Sequence, residues 1–162
     1  MAQAYRRAEQ NDLAIKDFSA AIALDPNNPI CFYDRARAYI SVRQFDRAIA
    51  DYIAATELDP KDPLYVNDLA WLFATCPVAE VRNGKGAVEL ATKACELTNW
   101  RNALYIDTLA TAYAESGDFE SAIKWQEKTI DLLGYPERTK YLSEFKERLK
   151  LYQSGKPYRE DL

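Results

Sequence analysis

The chain has 162 residues, 48% of them hydrophobic, with a net charge of −4 and no histidine. That is enough apolar material for a packed core, and the missing histidine removes the commonest general base and the commonest metal ligand. The acidic balance, with no stretch dominated by Lys and Arg, argues against nucleic acid or an anionic membrane as partner, and no run approaches the roughly 18 apolar residues of a membrane span.

Residues 1–28 carry Tyr5, Ala14, Phe18, Ala21 and Pro26, and the same residue classes return 34 positions later as Tyr39, Ala48, Tyr52, Ala55 and Pro60. On this register Met1 falls partway through a first helix, with Glu9 at an inter-helix turn. Either the array begins with an incomplete repeat or the chain is cut from a longer one. The second is favoured, because an uncapped half-repeat leaves an open stacking face.

Residues 29–62 form one complete unit. Phe32, Ala36 and Tyr39 fall at helical spacing, as do Phe45, Ala48, Ile49, Tyr52, Ala55 and Leu58, so the unit is predicted to be two amphipathic helices, 30–41 and 45–58. Asn28 followed by Pro29 is a helix start, Asp46 places an acid in the second helix's first turn, and Pro60 ends that helix. A third unit, 63–102, starts at Pro63 behind a capping Asp62, with Leu64, Val66, Leu69, Ala70, Leu72 and Phe73 on its first helix. The segment 75–86 is about five residues longer than the turn it replaces, a length that surface loops tolerate cheaply. The second helix is expected to resume at Ala87, with Ala91 and Ala94 at its small positions and Asn99 where proline stands in the other units.

The fourth unit, 103–134, restores the pattern with Leu109, Ala110, Tyr113, Phe119, Ala122 and Ile123. Gly117 holds its inter-helix turn, where a left-handed conformation is often needed, and Arg43 holds the matching place in the second unit. Residues 137–153 read as a charged amphipathic helix, with Leu142, Phe145, Leu149 and Tyr152 on one face and a Glu144–Arg148 pair at i,i+4. Such a helix can seal the last repeat. Gly155 caps it, and 154–162 follow as a short polar tail.

The 34-residue spacing of Tyr, Ala, Phe or Tyr, Ala and Pro resembles the tetratricopeptide repeat. The resemblance covers residues 1–134 and implies one all-α domain, a right-handed α-α solenoid of helix hairpins closed by the 137–153 helix. A narrower resemblance, carried by LAWLFATCP (69–77), KACELT (93–98), DTLA (107–110) and GKPYRE (155–160), is to the C-terminal repeat blocks of planctomycete-type bacterial proteins.

In that family the first helix of each unit lines a concave groove. The resemblance therefore implies groove positions at Gln3, Arg6 and Arg7; at Tyr33, Asp34, Arg37 and Ile40; at Asn67, Asp68 and Trp71; and at Asp107, Thr108 and Thr111. A tyrosine, a tryptophan and an arginine on one strip are typical anchors for a peptide. Asp34, Asp68 and Asp107 form either an acidic strip favouring a basic or neutral ligand, or solvated and locally paired side chains. Trp71 either anchors a ligand or packs under the 75–86 insertion. Aspartates at several of these positions argue against the Lys/Asn/Arg clamp that holds a C-terminal carboxylate in chaperone-binding members.

Chemistry finds little support. Asn83-Gly-Lys-Gly86 lacks the spacing and the preceding strand of a phosphate loop, and there is no nucleophile elbow or Cys/His pair. The three cysteines, Cys31, Cys76 and Cys95, are an odd set without ligand spacing, and free buried thiols are the expectation. No catalytic residue, metal or cofactor is expected. The predicted function is protein–protein interaction, with a peptide or partner segment held in the groove. The alternatives are an accessory region of a larger enzyme or signalling protein, and weak self-association through the open N-terminal face.

Overall fold

A computed structural model of the protein describes the backbone of residues 2–133 and 137–161 and the side chains of residues 10–133 and 140–161. Eight α-helices and one short 3₁₀ turn make up the secondary structure of these residues: α1 (Ala2–Leu24), α2 (Pro29–Ser41), α3 (Phe45–Leu58), α4 (Pro63–Thr75), the 3₁₀ turn Ala79–Val81, α5 (Gly84–Leu97), α6 (Ala103–Glu115), α7 (Phe119–Leu132) and α8 (Glu137–Gln153). The chain divides into two compact units, Met1–Tyr65 and Val66–Asp161.

The helix starts follow the capping residues. Asn28, Asp62 and Asn102 each accept the backbone N–H two residues on, at 3.1, 2.9 and 2.9 Å, while Asp118 accepts that of Ser121 at 3.0 Å. This last bond holds the Asp118 carboxyl below its ordinary range. The left-handed turns also fall where the repeat places them. Gly117 lies at φ +87°, and Arg43 takes φ +60° at the equivalent position without glycine's freedom. Where Asn99 stands in place of proline, Asn99 and Trp100 both turn left-handed, at φ +50° and +58°.

In the first unit α1 packs against α2 and α2 against α3. Ala36, Ala48 and Ala55 are fully buried, and small side chains there allow the helices close approach. The rings of Tyr52 and Tyr65 flank Tyr33, with centroids 5.8 and 5.2 Å away. Arg35 donates through Nε and Nη2 to both carboxylate oxygens of Asp51 at 2.7 and 2.8 Å, and through Nη1 to the Ser19 hydroxyl at 3.0 Å. One guanidinium thereby joins α1, α2 and α3. The expected turn at Glu9 is absent, because α1 runs unbroken from Ala2 to Leu24. No glycine or proline interrupts that span, and the residues around Glu9 are mostly good helix formers.

In the second unit α5, α6, α7 and α8 pack in succession, and α8 also reaches α6. Ala70, Ala91, Cys95, Ile106 and Leu109 form one core cluster; Ala110, Ala114, Ala122 and Tyr152 form another. α5 begins at Gly84, three residues before the expected Ala87, because the Asn83 side chain accepts the Gly86 N–H at 3.0 Å. The Asn-Gly-Lys-Gly string is thus a helix cap and first turn. Burial pushes the Cys95 thiol up to about 12.

A methyl group on Gly84 would lie 2.7 Å from the backbone nitrogen of Ser116, so α5 starts where only glycine fits beside the end of α6. Gly84→Ala is expected to cost about 1–3 kcal/mol in urea unfolding, the scale of an overpacked contact. Because Cys76 and Cys95 are fully buried and Cys31 is half-buried, a thiol reagent should modify Cys31 first. The other two should react at comparable rates only in denaturant, as mass spectrometry of the labelled chain would show.

Candidate functional site

The expected groove residues sit on first helices, and their surroundings differ between the units. In the first unit Arg37 is exposed, Asp34 is half-buried and Tyr33 is buried. The Arg37 guanidinium lies 5.7 Å from the centre of the Tyr33 ring, within cation–π range. Burial and the nearby carboxylates of Asp62, Asp59 and Asp34 push the Tyr65 phenol up from its ordinary range, which marks a negative field at this end of the unit. Tyr33 is one of the packed rings, so Arg37 and Asp34 are the accessible members of this set. The side chains of Gln3, Arg6 and Arg7 lie outside the described residues.

In the second unit Asn67 is buried and donates to Asp68 at 3.2 Å. Asp107, Thr108 and Thr111 are also buried. Asp107 is only 4% exposed, and Arg148 of α8 meets it through Nε at 3.0 Å to Oδ1 and Nη2 at 2.9 Å to Oδ2. The Gln126 amide of α7 donates to the same carboxylate at 2.7 Å. Burial pushes the Asp107 carboxyl up, against the opposing pull of Arg148 and Gln126. The Thr111 hydroxyl donates to the Asp107 carbonyl at 2.8 Å and meets the Tyr152 hydroxyl at 2.9 Å. Asp107 and Thr111, two of the expected groove positions, therefore lie under α8. The Glu144–Arg148 pair expected from spacing gives way to this inward bond, since an arginine between α8 and α6 finds a buried carboxylate and α8's own Glu144 is exposed.

Trp71 is half-buried beneath the C-terminal tail. Its ring centre is 5.9 Å from that of Tyr158 and 5.7 Å from the Arg148 guanidinium, and its Nε1–H donates to the Glu160 carboxylate at 2.7 Å. The Glu160 N–H donates to the carbonyl of Thr75 at 3.0 Å, satisfying one of the orphan acceptors at the end of α4. Arg159 pairs with Glu115, which also takes Arg82 of the 75–86 segment at 3.0 Å. Arg82 further donates to the carbonyls of Cys76 and Pro77 at 2.9 and 3.2 Å, so the inserted segment is folded against its own helix end.

Sequence reading missed the contacts of Tyr158, Arg159 and Glu160, which it left in a short polar tail. The available signal was local: an aromatic residue followed by two charges of opposite sign, three positions after a glycine helix stop. Among the described residues no group of His, Cys, Asp and Glu is placed to hold a metal, and no helix is long and apolar enough to cross a membrane.

Three family models match the chain: one described as TPR repeat over residues 2–42 and two as tetratricopeptide repeat over 33–75 and 105–132. Together they cover more than half of the sequence, and the chain belongs to the tetratricopeptide repeat proteins. Among solved structures, a crystal structure of MamA protein matches with a TM-score of 0.72 at 20% identity, over 93% of this chain and 75% of that one. A second MamA structure matches at 0.68 and 20% identity, over 93% and 91%. The N-terminal domain of stress-induced protein-1 (STI-1) from C. elegans matches at 0.55 and 22% identity, over 73% and 94%. At these identities the likeness is one of fold, an all-α tetratricopeptide solenoid. No curated protein matches the sequence. Family and fold are those of a protein–protein interaction scaffold, a class that is generally non-catalytic.

Removing Arg148 alone would strand the Asp107 charge in the core. Arg148→Met is expected to cost about 3–5 kcal/mol in chemical denaturation, and Arg148→Met with Asp107→Leu to recover much of it. The pH dependence carries a definite sign. With its partner gone, the Asp107 pKa lies still further above the unfolded value, so the single variant gains stability relative to wild type as pH falls and loses it as pH rises through that window.

Proposed function

We propose that this chain is a binding module that takes an extended segment of a protein partner along the face of its first helices, with no chemistry of its own. The observation that carries the reading is the tail itself. A non-helical stretch of polypeptide lies against α4, held by a main-chain hydrogen bond to Thr75 and by side chains on Trp71 and Glu115. Other peptide-binding surfaces divide the work in the same way: main-chain bonds supply grip, and pockets for particular side chains supply selectivity.

In the first unit Asp34 and Arg37 offer the corresponding anchors, with carboxylates that favour a basic or neutral ligand. The expected Asp34–Asp68–Asp107 strip loses its third member as a free charge, because Asp107 is neutralised by Arg148. A partner attracted electrostatically would therefore be read by the first unit's own carboxylates.

The test uses a partner captured by crosslinking and mapped to a peptide, which is then titrated against purified variants. Asp34→Ala with Arg37→Ala should weaken binding at least tenfold. Glu57→Ala with Lys93→Ala, exposed positions on the second helices α3 and α5, should leave it unchanged. The opposite pattern would place the binding face on the second helices and sink the proposal.

A further inference from the structure

Building on the peptide-binding reading, we infer that the segment from Lys156 to Asp161 is a displaceable ligand of its own unit. The partner segment it keeps out has the same chemistry: an aromatic residue two positions before a carboxylate, with a basic residue between. Gly155, at φ +66°, ends α8 and releases the chain, which has no regular secondary structure over residues 156–161. Three consecutive residues then each make a defined contact with the unit. Tyr158 lies against Trp71 and 5.3 Å from the Arg148 guanidinium. Arg159 pairs with Glu115. Glu160 accepts the indole N–H of Trp71 while its own N–H reaches Thr75.

The cradle is polar where it reads polar groups and aromatic where it reads the ring. Trp71 presents both a face and a hydrogen-bond donor, so a carboxylate is distinguished from an amide or a methyl group by charge-assisted bonding. Glu115, already held by Arg82, selects for the basic residue. The hold on the tail is modest. Tyr158, Arg159 and Glu160 are all only half-buried, whereas Phe145 and Tyr152 of α8 are fully buried and already close the core. Segments with few buried contacts open at low cost, well below global unfolding. A tether this short nonetheless presents the tail at an effective concentration on the order of millimolar, so it competes strongly with any free peptide of micromolar affinity.

The probe is a synthetic peptide of residues 155–162, GKPYREDL, fluorescently labelled and titrated into the full chain. In a full-chain variant carrying Tyr158→Ala and Glu160→Gln, the peptide should bind at least tenfold more tightly than to the native chain. That gain should vanish when Trp71→Phe is added, or when the peptide's own glutamate is replaced by glutamine. A folded double variant that binds the peptide no better than the native chain overturns the inference, as does binding indifferent to Trp71. Amide exchange in the native chain tests the same point without any variant. The Glu160 N–H should exchange at least a hundredfold faster than that of Leu109, and equal protection would mean that the tail opens only when the unit unfolds. Failure here with Asp34/Arg37 sensitivity intact would remove the tail's role and leave the peptide-binding reading standing. Tail-peptide binding without that sensitivity would do the reverse.

Discussion

A carboxylate almost cut off from water organises the second unit. Asp107 can remain charged at 4% exposure only because Arg148 meets both its oxygens and Gln126 donates to one of them. Satisfying that one group commits side chains from α6, α7 and α8, and it fixes the rotation of α8, because the arginine must point inward. The guanidinium then offers its faces to Phe145, Trp71 and Tyr158, at 5.0, 5.7 and 5.3 Å. The buried ion pair is thus also the floor on which the tail rests. Such a pair adds little net stability over an apolar replacement, and its contribution here is to register: few other placements of α8 would leave neither charge unpaired.

The first unit solves the same problem with the same chemistry in another place. Arg35 grips Asp51 with two parallel bonds and reaches Ser19, joining three successive helices. Alanines at the close contacts set how near the helices come, but alanine is nearly featureless and leaves sliding open. A fork of arginine on a carboxylate has direction and length, so it pins what the alanines leave free. In each unit small residues govern distance and one buried or half-buried ion pair governs register.

Helix positions were legible in the sequence because their causes are local. Apolar side chains at 3.6-residue spacing, Asn28 and Asp62 as caps, and Gly117 at a left-handed turn act within a few residues of themselves. Three local expectations still missed: the turn at Glu9, the start of α5 and the Glu144–Arg148 pair. The first had only the repeat register behind it, with no breaker residue; in the second the Asn83 cap outweighed the apolar pattern that began at Ala87. The candidate site was legible only in part, because its decisive contacts join residues far apart in the chain. Trp71 and Glu160 are 89 positions apart, and Asp107 and Arg148 are 41. A repeat pattern says which face of a first helix is free of its neighbours. It carries no information about what the chain's own end will lay across that face.

That asymmetry bears on how such a module can be regulated. Residues that repeat are constrained by packing, so variation accumulates where helices present side chains outward, and a tail drawn from outside the repeat can evolve against those same positions. Trp71 illustrates the consequence. Read from the repeat it is a groove anchor; in the structure its donor is already taken by Glu160 and its face by Tyr158. Both descriptions hold if occupancy is an equilibrium. The half-buried tail competes at an effective concentration set by its tether, and the resident ligand raises the threshold for any external one without altering the site. Selectivity then sharpens, since a partner must do better than Tyr158, Arg159 and Glu160 at all three of their contacts at once.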